Sequence, residues 1–205
     1  MAIVDMKMVA SRAISELDDL EALVEAEQRR VYRVLLAMLR DPEAADGLTQ
    51  ECFLKAYQSR GKFRGECSLR TWLIRIAVNL ARDHLKSRRW QFWRKLSQEA
   101  DVAWEHAATV ISPVTPEREL LAREALAGVW SAVGSLPGRQ REVFVLRFVE
   151  EMSIEEIAAA ISLRPGTVKA HLARATGAIR ERVTANRQTQ KQMSAEDAAK
   201  ERGKP

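Results

Sequence analysis

Two cysteines and three histidines are all the thiol and imidazole side chains that these 205 residues offer. Cys52 and Cys67 follow no zinc or redox spacing, so each reads as a reduced thiol, with a disulfide or a Cys/His metal site as the minor alternative. His84, His106 and His171 are scattered, and His84 falls on an apolar helix face, where a core histidine is the ordinary occupant. No paired carboxylates, nucleophile–base set or glycine-rich phosphate loop is present. The expectation is a protein that is not an enzyme, with no catalytic residue, no metal and no cofactor. Long hydrophobic runs are missing as well: nothing approaches the roughly 20 apolar residues that cross a bilayer. The opening MAIVDMKMVA has no basic region followed by an apolar stretch and cleavage site. A cytoplasmic protein without membrane insertion is expected. Strand-like alternation is not sustained in any set of segments, which leaves an all-α chain.

What is abundant is charge, and it comes in blocks. Residues 1–59 are net −4, residues 60–95 net +9, residues 96–135 net −4 and residues 136–205 net +4. A charge run is ordinarily a solvated face, but 11 basic against 2 acidic groups in 60–95 is unusual. Two basic blocks split by an acidic one suit two contacts on a long polyanion. Nucleic acid leads as partner, with an anionic membrane surface second.

Helical periodicity divides the chain into two small helical domains joined by a flexible linker. The boundaries are 1–95, a linker at 96–115, 116–184, and a polar tail at 185–205 that is expected to be disordered. A first helix spans about Asp18 to Arg40 and ends at Asp41-Pro42, because the residue before proline disfavours helix. A second covers about Pro42 to Gln58. ISPVTP marks the end of the linker, and Thr115-Pro116 opens a helix through Ser131. In the last domain, Ser153 and Glu156 make a capping box before the short helix IEEIAAAI. A tight turn at Ser162-Leu163-Arg164 precedes Pro165 at the next helix start. There Val168, Leu172, Ala175 and Ile179 face inward, leaving Thr167, Lys169, Ala170, Ala173 and Arg174 outside. This is a helix-turn-helix pattern, with an αα-hairpin of a bundle as the plain alternative.

The stretch RTWLIRIAVNLARDHLK (70–86) carries two stripes. Leu73, Ile76, Ala77, Leu80 and His84 gather on one side. Trp72, Arg75, Asn79, Arg82, Asp83 and Lys86 gather on another. The first stripe needs a core. The second is either a solvated face with a half-buried Trp or a binding face. Beyond it, Arg88, Arg89, Arg94 and Lys95 interleave with Trp90, Phe92 and Trp93, suiting either a nucleic-acid backbone or a linker contact.

DGLTQECFLKAY (46–57), FRGECSLRTWLIRIAVNLARDHL (63–85) and LPGRQREVFVLRFVEEMSIEEIAAAISLRPGTVKAHLARA (136–175) together resemble the extracytoplasmic-function sigma factors of bacterial RNA polymerase. The similarity covers roughly residues 25–182. It implies partners in core RNA polymerase, in promoter DNA both as duplex and as melted non-template strand, and in an anti-sigma factor. Asp46, Gln50 and Glu51 match the positions that dock on polymerase, supported by Phe53 and Tyr57. The loop at Phe63, Arg64, Gly65 and Ser68 matches the segment that pockets an unstacked base. Trp72, Arg75, Asn79, Arg82, Asp83 and Lys86 match the helix reading the minus-ten element. Arg164, Gly166, Thr167, Lys169, Ala170, His171 and Arg174 match the minus-thirty-five reader, and amides near Gly166 and Thr167 could hold a phosphate.

The chain departs from the family pattern in four places. Gly47 replaces an aliphatic residue, Ser162 a turn glycine and His171 an arginine, and Cys67 is extra to the base-capturing loop. A LuxR-type regulator shares the T-V-K-x-H helix but requires a sensory or receiver domain in residues 1–130. A protein–protein adaptor would leave the two basic blocks without a purpose.

Overall fold

A computed structural model of the chain describes residues 19–87 and 126–202. The aromatic–basic run at 88–95, the linker and the expected helix start at Thr115-Pro116 lie outside the described residues. In the N-terminal half, Asp19 accepts a hydrogen bond from Ala22 N (3.0 Å) and opens α1, Leu20–Leu39. Arg40 ends it in the left-handed conformation, with its N–H on Leu36 O. Asp41 then caps Ala44 N (3.0 Å), and Pro42 takes the first position of α2, Pro42–Ser59. A 3₁₀ turn, Arg60–Lys62, leads to Phe63. Ser68 caps Thr71 N (3.1 Å) to start α3, Leu69–Lys86. These helices pack mutually around Val31, Leu35, Met38, Cys52, Leu73 and Val78.

The C-terminal half holds α4 (described over 126–134), α5 (Gly138–Phe148), α6 (Ile154–Ile161) and α7 (Pro165–Arg202). The expected helix through Ser131 runs on to residue 134. The capping box forms as read: Glu156 N donates to Ser153 Oγ (3.1 Å), and Ser153 N donates to the Glu156 carboxylate (2.8 Å). Those two bonds hold the Glu156 carboxyl below its ordinary range. Ser162 sits at φ 55°, ψ 48°, a left-handed position where glycine is the low-cost residue. The missing turn glycine is therefore replaced by a strained serine rather than by a different turn.

One expectation is corrected. The polar tail is not disordered from residue 185: α7 continues to Arg202. Neither Gly nor Pro occurs between Ala178 and Arg202, and Ala, Arg, Gln, Lys and Glu are strong helix formers. Polarity removes a reason to pack; it does not remove helix propensity.

The two halves do not stand apart. α1 packs on α5 and α3 on α6, and one buried cluster runs from Leu23 to Ile179 through both. Among the described residues no helix is long and apolar enough to cross a membrane.

Candidate nucleic-acid interface

On α2 the buried positions Ala45, Thr49, Cys52, Phe53 and Ala56 turn inward. Asp46 and Gln50 are exposed on the other side and bond to each other (3.2 Å), while half-buried Glu51 pairs with Lys55 (2.9 Å). Beside them Leu54 is 53% exposed, and the Arg60 guanidinium lies 4.1 Å from the Tyr57 ring centroid. Sequence reading selected the polar row and missed Leu54, whose place on an otherwise polar helix face was the available signal. Among the described residues, a Cβ on Gly47 would meet nothing. That glycine weakens the helix without serving a close approach.

Phe63 is buried, not offered to solvent, and stands edge-on to Trp72 with centroids 5.3 Å apart. Phe63, expected among the base-capturing residues, backs the Trp72 ring. Phe63, Arg64, Cys67, Trp72 and Arg75 line a cleft of about 580 Å³ whose far wall is Ala159 of α6. Arg64 and Ser68 are exposed, and Ser68 also serves as the α3 cap. Partial burial raises the Cys67 thiol, opposed by Arg75. Cys52 is fully buried, its Sγ on Leu73 O (3.6 Å), and burial pushes its thiol up to about 12.

The polar stripe of α3 lies on one side of the helix, and part of it is already engaged. Arg75 donates to Ala159 O. Arg82 bonds the Glu142 carboxylate through two nitrogens, each at 3.1 Å, and Asn79 Oδ1 at 3.1 Å. Arg139 reaches the same carboxylate at 2.9 Å. Asn79, Asp83 and Lys86 remain exposed, and Asn79 and Asp83 border a second cleft of about 370 Å³ with Lys55, Gln58 and Lys62.

The face of α7 is different. Val168, Ala175 and Ile179 are buried, and Leu172 packs against the core. Arg164, Gly166, Thr167, Lys169 and Arg174 are exposed, with Ala170 and His171 half-buried. Thr167 N already donates to Arg164 O (2.9 Å), so a phosphate at this helix start would have to compete for that amide. His171 Nδ1 is buried without a hydrogen bond.

Sequence reading also passed over the polar groups between the halves. Glu150, with a side chain 1% exposed, accepts from Arg30 at 2.8 Å and faces Arg33 at 3.7 Å. Burial raises its carboxyl above the ordinary value even against those two cations. Arg141 is buried and donates to Met38 O (2.9 Å), Gly134 O and Leu136 O (3.2 Å). A Cβ at Gly134 would overlap the Arg40 side chain, so the glycine admits that arginine.

Comparison with known proteins places both halves. Sigma-70 region 2 matches residues 23–91, and Sigma-70, region 4 matches residues 126–178. The RNA polymerase sigma-H factor of Pseudomonas aeruginosa is 34% identical over 78% of this chain and 83% of its own. The ECF RNA polymerase sigma-E factor of Escherichia coli K12 is 33% identical over 78% and 84%. Among solved structures, CnrH in complex with the cytosolic domain of CnrY has TM-score 0.60 at 23% identity, covering 87% of this chain and 96% of that one. RpoE of Bartonella quintana, in complex with the anti-sigma factor NepR, has TM-score 0.55 at 20% identity, covering 81% and 97%. The last two show the fold. A LuxR-type regulator is not supported, since the half that would hold its sensory domain matches Sigma-70 region 2.

Proposed function

This chain belongs to the extracytoplasmic-function sigma factors of bacterial RNA polymerase, and from that premise we propose how its two halves share the reading of a promoter. It directs core polymerase to specific promoters and assists their melting. The synthesis chemistry belongs to the polymerase, and its place of action is the cytoplasm. In this reading the Asp46, Gln50 and Glu51 row docks on polymerase, and exposed Leu54 and Tyr57 extend that contact with apolar area. α3 and the loop before it take the melted minus-ten strand. α7 enters the major groove of the minus-thirty-five duplex, the standard placement of a recognition helix. An anti-sigma factor is a further partner, as it is for the RpoE structure of like fold.

One observation carries the α3 assignment: Trp72, Arg75 and Arg64 surround a cleft whose floor is stiffened by Phe63. Unstacking a base costs a few kcal/mol, which a binder must offset. An aromatic platform returns about 1–3 kcal/mol per base, and arginine adds charge and a planar face. Asn79, exposed one turn along, can hydrogen-bond a base edge. On α7, Lys169 and Arg174 suit bases or phosphates of intact duplex.

Transcription by the holoenzyme on a selected promoter pool tests this division. Asn79→Ala should lose discrimination at the minus-ten element by about 1–3 kcal/mol. Arg174→Ala should weaken promoter binding nearly independently of sequence, with a salt slope smaller by about 1. If Asn79→Ala shifts preference only in the upstream element, or leaves preference untouched, the assignment of α3 is wrong.

A further inference from the structure

The core holds α7 as far as buried Ile179 and half-buried Val183, yet the helix continues to Arg202. At about 1.5 Å and 100° per residue, Lys169, Arg180, Arg187 and Lys191 take positions within about 40° of one another. Ala173, Thr176 and Thr184 share the stripe, and no carboxylate falls on it between Pro165 and Ala198. Glu181, Glu196 and Asp197 take positions on other faces. Lys169 and Arg180 are exposed, and neither makes an ion pair among the described residues. Thr176 Oγ1 donates to Leu172 O and Ala173 O (each 3.0 Å), and Thr184 Oγ1 to Arg180 O (2.8 Å). Both hydroxyls are thus occupied by the helix itself, and the cations are what the stripe offers.

We propose that this stripe is a phosphate rail: the prolongation of α7 grips the duplex backbone just outside the minus-thirty-five element, without reading sequence. Lys169 belongs to both the reading face and the stripe, so the rail rests on the placement of α7 given above. The lengths fit. The major groove is about 12 Å wide, with a ridge of phosphates along each edge. Arg180 lies about 16 Å along the helix from Lys169, and a helix crossing the groove has by then reached the ridge. Arg187 and Lys191 follow at about 27 and 33 Å. A solvated face ordinarily mixes its signs, as the face carrying Glu181, Glu196 and Lys200 does. A row of one sign needs a polyanion beside it, and duplex DNA carries one charge per about 1.7 Å of its axis. Such contacts specify no base. They lengthen the footprint and add affinity that salt can remove.

The test compares holoenzyme made with the parent chain and with Arg180→Gln, Arg187→Gln and Lys191→Gln together, since glutamine removes charge and keeps helix propensity. Promoter affinity is titrated against salt. The triple variant should bind about tenfold more weakly at moderate salt, with a slope of log affinity on log salt smaller by about 2 to 3. Its preference within the minus-thirty-five element should not change. Promoter duplexes with uncharged methylphosphonate linkages flanking that element should weaken the parent by a similar factor and leave the variant almost unaffected. Circular dichroism checks retained helicity. If it falls, Arg180→Gln alone, beside buried Ile179, is read in its place, with a slope change of about 1. An unchanged slope, or equal sensitivity of parent and variant to the neutral linkages, overturns the rail. So does a loss that arises in assembly with core polymerase, which would give the stripe to an acidic protein surface. Arg174→Ala keeps the two readings apart. If it acts as expected above while the triple variant is silent, α7 still lies in the groove and only the rail fails. If Arg174→Ala is silent too, the groove placement itself fails.

Discussion

α3 and α7 are both assigned to reading DNA, yet the protein treats them differently. α3 is committed on two sides: Leu73, Ile74, Ala77, Val78 and Leu80 are buried, and Arg75 and Arg82 are engaged by the opposite half. The reading part of α7 is anchored by Val168, Ala175 and Ile179 and keeps Lys169 and Arg174 in water. In the proposed reading the difference follows from the form of the ligand. A duplex groove accepts a convex polar helix as it stands. A flipped base requires a concave aromatic cleft, and a concave aromatic cleft is also a surface on which the chain's own parts can settle.

The largest effect should come from attacking what the two readers share. α6 packs against both, and Ile157 within it is fully buried. Ile157→Ala should cost about 2–5 kcal/mol of stability in a denaturant melt. Minus-thirty-five recruitment should fall with it; intact recruitment would show that α7 holds its place without α6. Next comes a substitution that should strike only one reader. Arg75→Ala should impair opening of a duplex promoter by about 1–3 kcal/mol. A premelted bubble should restore part of that loss, because the template has already met the unstacking cost. Equal defects on duplex and bubble would erase the distinction between strand reader and duplex reader. The smallest effect concerns the turn that sets α7. Ser162→Gly should raise the melting midpoint by an amount worth about 0.5–1 kcal/mol, since glycine adopts the left-handed conformation without a Cβ penalty. A lower midpoint would mean that the Ser162 side chain stabilises the turn more than its backbone strains it.

Much of this architecture was legible from local chemistry. The Asp41-Pro42 break, the Ser153/Glu156 box and the inward row on α7 each depend on residues within a few positions of one another. Such features leave a periodic or positional mark in sequence. The burial of Phe63 left no mark in sequence, because it is decided by Trp72, a residue of the next helix. Glu142, Glu150 and Arg141 were invisible for a stronger reason. Their partners lie about 60 to 120 positions away, and an isolated charge on an amphipathic helix carries no sign of what it meets. The tail was misjudged because low apolar content was taken to oppose helix formation, whereas it opposes only packing.

The depth at which Cys52 lies has a chemical reach beyond the core it fills. With burial pushing its thiol up to about 12, Cys52 stays protonated at neutral pH, and its sulfur faces Leu73 O rather than solvent. Thiol-directed alkylating reagents therefore find a single accessible thiol of the chain's two, at Cys67 on the wall of the cleft. The rate at which Cys67 is alkylated therefore reports the accessibility of the cleft wall, and the silent thiol beneath adds no background to the signal.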